Sequence, residues 1–333
     1  MKRRAFAALV GAAAMLTSGV ASASASTSAT GIKSPESIAI SGGKVYVANE
    51  GGDSVTVLNQ STGHVEAIIS GKKLRLSAPT SVAVVDGHLW VADMLGYAVT
   101  ELNVTNDSIV RVLHGSPYSF TMPWSVVPTG HDIYVTEMEG DTILGLNEST
   151  GHVDVRITTG AGTQGAFLGA VQADNKLWVP NLLANSLLVF SVSNGRRLAT
   201  LHGKATSFNA SLSLATDGTD VWIANLGNAS VTEVNATTNR VVRVIKGSDY
   251  RFEQPGTIVV GNGDAWVGSD HAVTEFATAT GKVVRVVSAK SFGFDEPTSM
   301  ALANGDLWVA STADNTVTEL SASSGALVRL IKG

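Results

Sequence analysis

The stretch TSVAVVDGHLWVAD (Thr80–Asp93) decides the fold. It holds two short runs, Thr80–Val85 and His88–Ala92, both dominated by β-branched and apolar residues. Asp86-Gly87 separates them, and this dipeptide is a strong signal for a two-residue hairpin turn. Two more runs follow outward, Ala98–Leu102 and Ile109–Leu113. Within them VAVV, LWVA, VTEL and IVRVL are apolar on both faces. Strands of that kind belong to a sheet covered on both sides rather than to a half-solvated one. No segment sustains a 3.6-residue period with helix caps.

The unit recurs. An aromatic residue followed by Val or Ile stands at Tyr46, Trp90, Tyr134, Trp178, Trp222, Trp266 and Trp308. The spacing is 44 residues except at the last step, which is two shorter. A second column runs through Val55, Val99, Ile143, Leu187, Val231, Val273 and Val317, and places the missing pair between Trp266 and Val273. A third holds Gly63, Asp107, Gly151, Gly195, Asn239, Gly281 and Gly325, residue types that tolerate positive φ and so mark a turn. Four short antiparallel strands repeated seven times predict an all-β, seven-bladed β-propeller of four-stranded blades. The chain enters at Ile32 and leaves at Gly333 within the same inter-blade connection, so no blade needs a strand borrowed from the other end.

Units such as KVYVAN (Lys44–Asn49) and HLWVAD (His88–Asp93) resemble the YVTN and NHL classes of propeller repeat over essentially all of Ile32–Gly333. The resemblance extends more distantly to virginiamycin B (streptogramin) lyase-like and gluconolactonase-like propellers. For most such repeats it implies an interaction or ligand-binding scaffold. For the lyase and lactonase relatives it implies a divalent metal at the ring axis.

Met1–Ala25 reads as a signal peptide, with Lys2-Arg3-Arg4 ahead of a short apolar run and small residues at Ala21, Ala23 and Ala25. Arg3-Arg4 also resembles a twin-arginine signal. The expectation is an exported, secreted, soluble protein with one domain over residues 26–333 and no membrane insertion. The chain carries a formal charge of −5, and the leader holds three basic residues and no acid, so the mature part is more acidic still. That excludes nucleic acid as the natural partner. There is no cysteine, hence no disulfide, thiol nucleophile or thiolate metal site. The chain is expected to act as a monomer.

Seven copies of one structural problem separate packing from function. Ser37, Ser81, Ser125, Gly169, Ser213, Thr257 and Ser299 are small, as crowding at an axis demands. One residue earlier stand Glu36, Thr80, Trp124, Leu168, Leu212, Gly256 and Thr298, which share nothing. That column is expected at a channel mouth. The second strand ends at Asn49, Asp93, Glu137, Asn181, Asn225, Ser269 and Ser311, short polar residues suited to capping the next turn or to facing a ligand. Glu36, Trp124, Asp93, Glu137, Asn181 and Asn225 are the candidate ligand residues, with Tyr118 and Tyr250 on the rim loops. Asp93 and Glu137 are the candidate ligands for Ca²⁺ or Mg²⁺, although no cofactor is required. His271, beside Asp270, is the one histidine expected on that face and the only candidate general base. The leading reading is a non-catalytic scaffold for an extracellular protein, glycan or small molecule. The alternative is a metal-dependent lyase or lactonase.

Overall fold

The computed structural model describes residues 30–160, 166–288 and 290–333. The leader lies outside the described residues. Seven four-stranded antiparallel sheets follow one another along the chain, each built from four consecutive strands. Blade 2 shows the pattern: Pro79–Val85 innermost, then His88–Asp93, Ala98–Asn103 and Ile109–His114 outermost. Among the described residues there is no α-helix, and the helical turns are 3-residue 3₁₀ segments in the loops. No helix is long and apolar enough to cross a membrane among these residues.

The repeat columns take the places that their chemistry requires. The seven aromatic side chains are at most 1% exposed. Each packs onto the neighbouring blade: Tyr46 sits with Val82, Leu89 and Val91 of blade 2, and Trp90 with Val126, Ile133 and Val135 of blade 3. Apolar residues on both blade faces are therefore used. The turn column has φ between 55° and 74° in all seven blades. A register shift falls at the same place in every third strand, after Val57, Glu101, Gly145, Val189, Glu233, Glu275 and Glu319. Such bulges increase twist, which splays the blade outward.

The ring closes without an exchanged strand. Blade 1 begins at Pro35 and blade 7 ends at Lys332. Thr30 Oγ1 donates to the Lys332 carbonyl at 2.8 Å, and Gly333 N–H donates to Asn315 O at 2.8 Å. Blade 4 is the irregular member. Its innermost strand is only Val171–Ala173, and Phe167 stands where most blades have proline.

The axial serines do more than fit. Ser299 Oγ accepts from Ile38 N–H, Ser37 Oγ from Val82 N–H, Ser81 Oγ from Val126 N–H and Ser213 Oγ from Ile258 N–H, at 3.1–3.3 Å. Each hydroxyl ties its blade to the next one at the axis, so the column is a set of clasps and not only a crowding constraint.

Candidate functional site

The innermost strands run away from the face that carries the inter-blade crossings and the loops between second and third strands. Three rings of seven residues line the channel behind that face, enclosing a cavity of about 880 Å³. The outermost ring is the variable column: Glu36, Thr80, Trp124, Leu168, Leu212, Gly256 and Thr298. Below it lies the Ser/Thr/Gly ring, and below that an apolar ring that includes Ile38, Val82 and Met300. Trp124 is thus at the mouth, half-buried, and packs with Met94, Met122, Met138, Leu168 and Leu182.

Of the polar residues at the ends of the second strands, Ser269 lines this cavity, but the four candidates in blades 2 to 5 do not. Asp93, Glu137, Asn181 and Asn225 are at most 3% exposed and turn into their own blades. Asp93 Oδ1 accepts from Ser77 N–H at 2.5 Å. Glu137 Oε2 accepts from Thr121 N–H at 2.6 Å and from the Thr121 hydroxyl. Asn225 Nδ2 donates to Ser230 and Thr232 hydroxyls, and Asn49 Nδ2 to Thr56 in the same way. These side chains splice the incoming crossing to the blade. Burial raises the Asp93 pKa to about 8 against the opposing pull of the Ser77 N–H, and raises that of Glu137 as well. Leu188 of blade 4 occupies the position of Thr56 and Thr232, so Asn181 Nδ2 has no hydrogen-bond partner.

Asp93 Oδ1 and Glu137 Oε2 accept from backbone N–H groups of the incoming crossings, while Asp93 Oδ2 is buried with no hydrogen-bond partner. Among the described residues no three His, Asp or Glu side chains are grouped closely enough to hold an ion. Tyr118 and Tyr250, expected on the rim as contact residues, also serve the interior. Tyr118 stacks on Phe120 and donates to Gly151 O at 3.1 Å; Tyr250 packs on Phe252 and donates to Gly281 O at 2.5 Å.

Acidity at the mouth comes from elsewhere. Glu36, Asp270 and Glu296 line the cavity on the side of blades 6, 7 and 1. Thr312 Oγ1 donates to Glu36 Oε1 at 3.3 Å, and Gln254 Nε2 donates to Asp270. Burial, then the facing carboxyl of Glu50, lifts the Glu36 pKa to about 8. Burial also raises Glu50, Asp270 and Glu296. Asp270 and His271 form the two-residue loop left by the shortened repeat. His271 is exposed, with Nδ1 3.4 Å from Asp295 Oδ1, and does not line the cavity. Glu296 and Gln254 were missed in the sequence, yet they had a signal. The residue before the proline column is otherwise Ser34, Ala78, Met122, Ala166 and Ala210, so two long polar side chains stand out.

No family model matches the chain, and no curated protein matches it. Solved structures do. A streptogramin B lyase is 17% identical with a TM-score of 0.69, covering 85% of this chain and 92% of that one. A catalytically inactive virginiamycin B lyase from Staphylococcus aureus, solved with quinupristin, is 15% identical with a TM-score of 0.71, covering 86% and 94%. Hydrazine synthase of Kuenenia stuttgartiensis is 15% identical with a TM-score of 0.70, covering 91% and 99%. At such identities the likeness is one of fold, and the chain is a seven-bladed propeller of the architecture that virginiamycin B lyase shares.

Proposed function

We propose that this is an exported, non-catalytic propeller that binds a small ligand at the loop-face mouth of its channel. One observation carries the reading. The repeat fixes the backbone at seven equivalent positions, leaves their side chains unrelated, and gathers all seven around one cavity. Packing does not demand Trp124 there, because the other six blades manage without it. A concave site with an apolar wall and a few polar groups is the usual form of a ligand pocket. The metal-dependent lyase alternative rests on likeness of fold, and fold alone does not convey activity.

The test is a thermal-shift screen of small molecules and oligosaccharides, followed by Trp124→Ala and Glu36→Gln. A ligand of this mouth should lose roughly tenfold or more in affinity on removal of Trp124, as expected for a central aromatic contact. A ligand whose binding neither change weakens would place the site elsewhere.

A further inference from the structure

The mouth is divided by charge. Blades 6, 7 and 1 contribute Asp270, Glu296 and Glu36, while blades 3 to 5 contribute Trp124, Leu168, Leu212 and Leu226. No Lys, Arg or His is among the described residues that line the cavity. Thr312 and Gln254 donate to Glu36 and Asp270, the Glu50 carboxyl shares a hydrogen bond with Glu36, and His271 acts on Asp270 and Glu296 from outside the lining. The acid wall also contains Ser269, 1% exposed, whose hydroxyl has no hydrogen-bond partner. Three carboxyl groups, an idle hydroxyl and no cationic side chain in the lining make one half of the cavity acidic and uncompensated from within. The other half is an apolar wall with an aromatic face.

We propose that the mouth takes an organic cation with an apolar body, its charge at Glu36 and Glu296 and its apolar part against Trp124. This rests on the mouth being a ligand site at all. A compact metal ion is disfavoured, because no three of these side chains are grouped to coordinate one. A diffuse ammonium needs no such convergence, and it gains from an aromatic face as well as from carboxylates. Binding should expel a proton. The charged groups that face Glu36 are Glu50, from the loop after the second strand of blade 1, and Glu296, from the crossing into blade 7. Asp270, Asp295 and His271 face Glu296 in turn. Burial and Glu50 keep Glu36 protonated up to about pH 8 in the empty site. A cation favours the ionised form, so affinity should rise by up to about tenfold per pH unit below pH 8 and level off above it.

The experiment is calorimetry on the purified protein from pH 6 to 9 with two probes, benzyltrimethylammonium, whose charge does not titrate, and benzyl alcohol. The cation should bind at least about tenfold more tightly than the alcohol, with affinity climbing with pH. Glu36→Gln should reduce the preference and flatten the slope, Glu296→Gln should reduce the preference, and Trp124→Ala should weaken both probes. Equal affinity for the two probes overturns the inference, as does a pH slope that Glu36→Gln leaves unchanged. Displacement of the cation by equimolar Ca²⁺ would make the acid wall a metal site and also overturn it. If neither probe binds while a screened neutral ligand does, and Trp124→Ala weakens that ligand, the ligand site stands and its cationic character falls. If the cation binds but Trp124 and Glu36 variants leave it unchanged, both readings fall.

Discussion

Arg111 of blade 2 donates from Nη2 to the carbonyl oxygen of Ser149 in blade 3, 2.9 Å away. Ser149 lies in the outer hairpin turn, and the same clasp recurs at three more seams. Arg243 reaches Thr278, Arg285 reaches Ser323 and Arg329 reaches Ser61. Each of these arginines also pairs with the glutamate opposite it in register, Glu101, Glu233, Glu275 or Glu319, and lies over the blade's tryptophan. Blades without the pair close their seams differently. Lys44 Nζ donates to Val104 O at 3.1 Å, Lys176 Nζ to Ala236 O at 2.6 Å and the Tyr134 hydroxyl to Val192 O at 2.5 Å. All seven seams thus carry one side chain reaching the next blade's outer turn.

The paired residues should behave as a unit. Arg243→Ala leaves Glu233, 4% exposed, without its cation, and should cost about 3–5 kcal/mol in urea unfolding. The double change Glu233→Val with Arg243→Ala copies Val57 and Ala67 of blade 1 and should cost less than Arg243→Ala alone. Additive losses would show that the pair is not coupled.

The turn column should be sensitive to the arginine behind it. All four arginine blades are followed by a turn glycine, whereas Asp107 and Asn239 follow blades with alanine at that position. At Gly151, φ is 74° and an added Cβ would lie 2.9 Å from Arg111 Nη1. Gly151→Ala should therefore cost about 1–3 kcal/mol from backbone strain together with the clash. The penalty should shrink in an Arg111→Ala background, as read from paired denaturation curves.

The splice between Asn225 and Thr232 can be broken without changing volume. Thr232→Val removes one acceptor for Asn225 Nδ2 and the donor to Thr206 O. Asn225 Nδ2 keeps Ser230 Oγ and Ile223 O as acceptors, unlike Asn181 Nδ2, so the change should cost about 0.5–1.5 kcal/mol, the net worth of an ordinary hydrogen bond. A neutral result would mean that solvent or local relaxation satisfies these groups.

Stability should fall toward alkaline pH. Glu36 has a folded pKa of about 8, above its ordinary value of 4.5, so the folded state binds the proton more tightly. That stabilisation is complete below pH 4.5 and is lost as pH rises through 8. Asp93, also at about 8, acts in the same direction. Glu36→Gln should melt about 2 °C or more above the wild type at pH 9 and show no advantage at pH 4. An equal shift at both pH values would assign the effect to packing instead.

The period made the fold legible, because seven copies turn a single chain into its own alignment. The aromatic column, the turn column and ring closure could all be read from residue types at fixed spacing. The direction of Asp93 and Glu137 could not. In a strand buried on both faces, alternation has no contrast, so a polar residue at the strand end is compatible with mouth or interior. The acid wall was hidden for a different reason. Glu36 and Glu296 are 260 positions apart in the chain and become neighbours only when blade 7 docks on blade 1. The use of the axial serine hydroxyls likewise depends on the neighbouring blade, which a column of one residue type does not show.

Closure by ordinary seam contacts makes the blade order a matter of convention. Thr30 and Gly333 already meet, with Thr30 bonded to Lys332 and Gly333 bonded to Asn315. No strand holds the two ends together in a way that the other six crossings lack. Joining residues 30 and 333 through a short linker and cutting the exposed crossing at Lys246 should give a circular permutant with the same seven blades, because each four-stranded sheet stays intact. The molecule has a first blade in its gene but none in its ring.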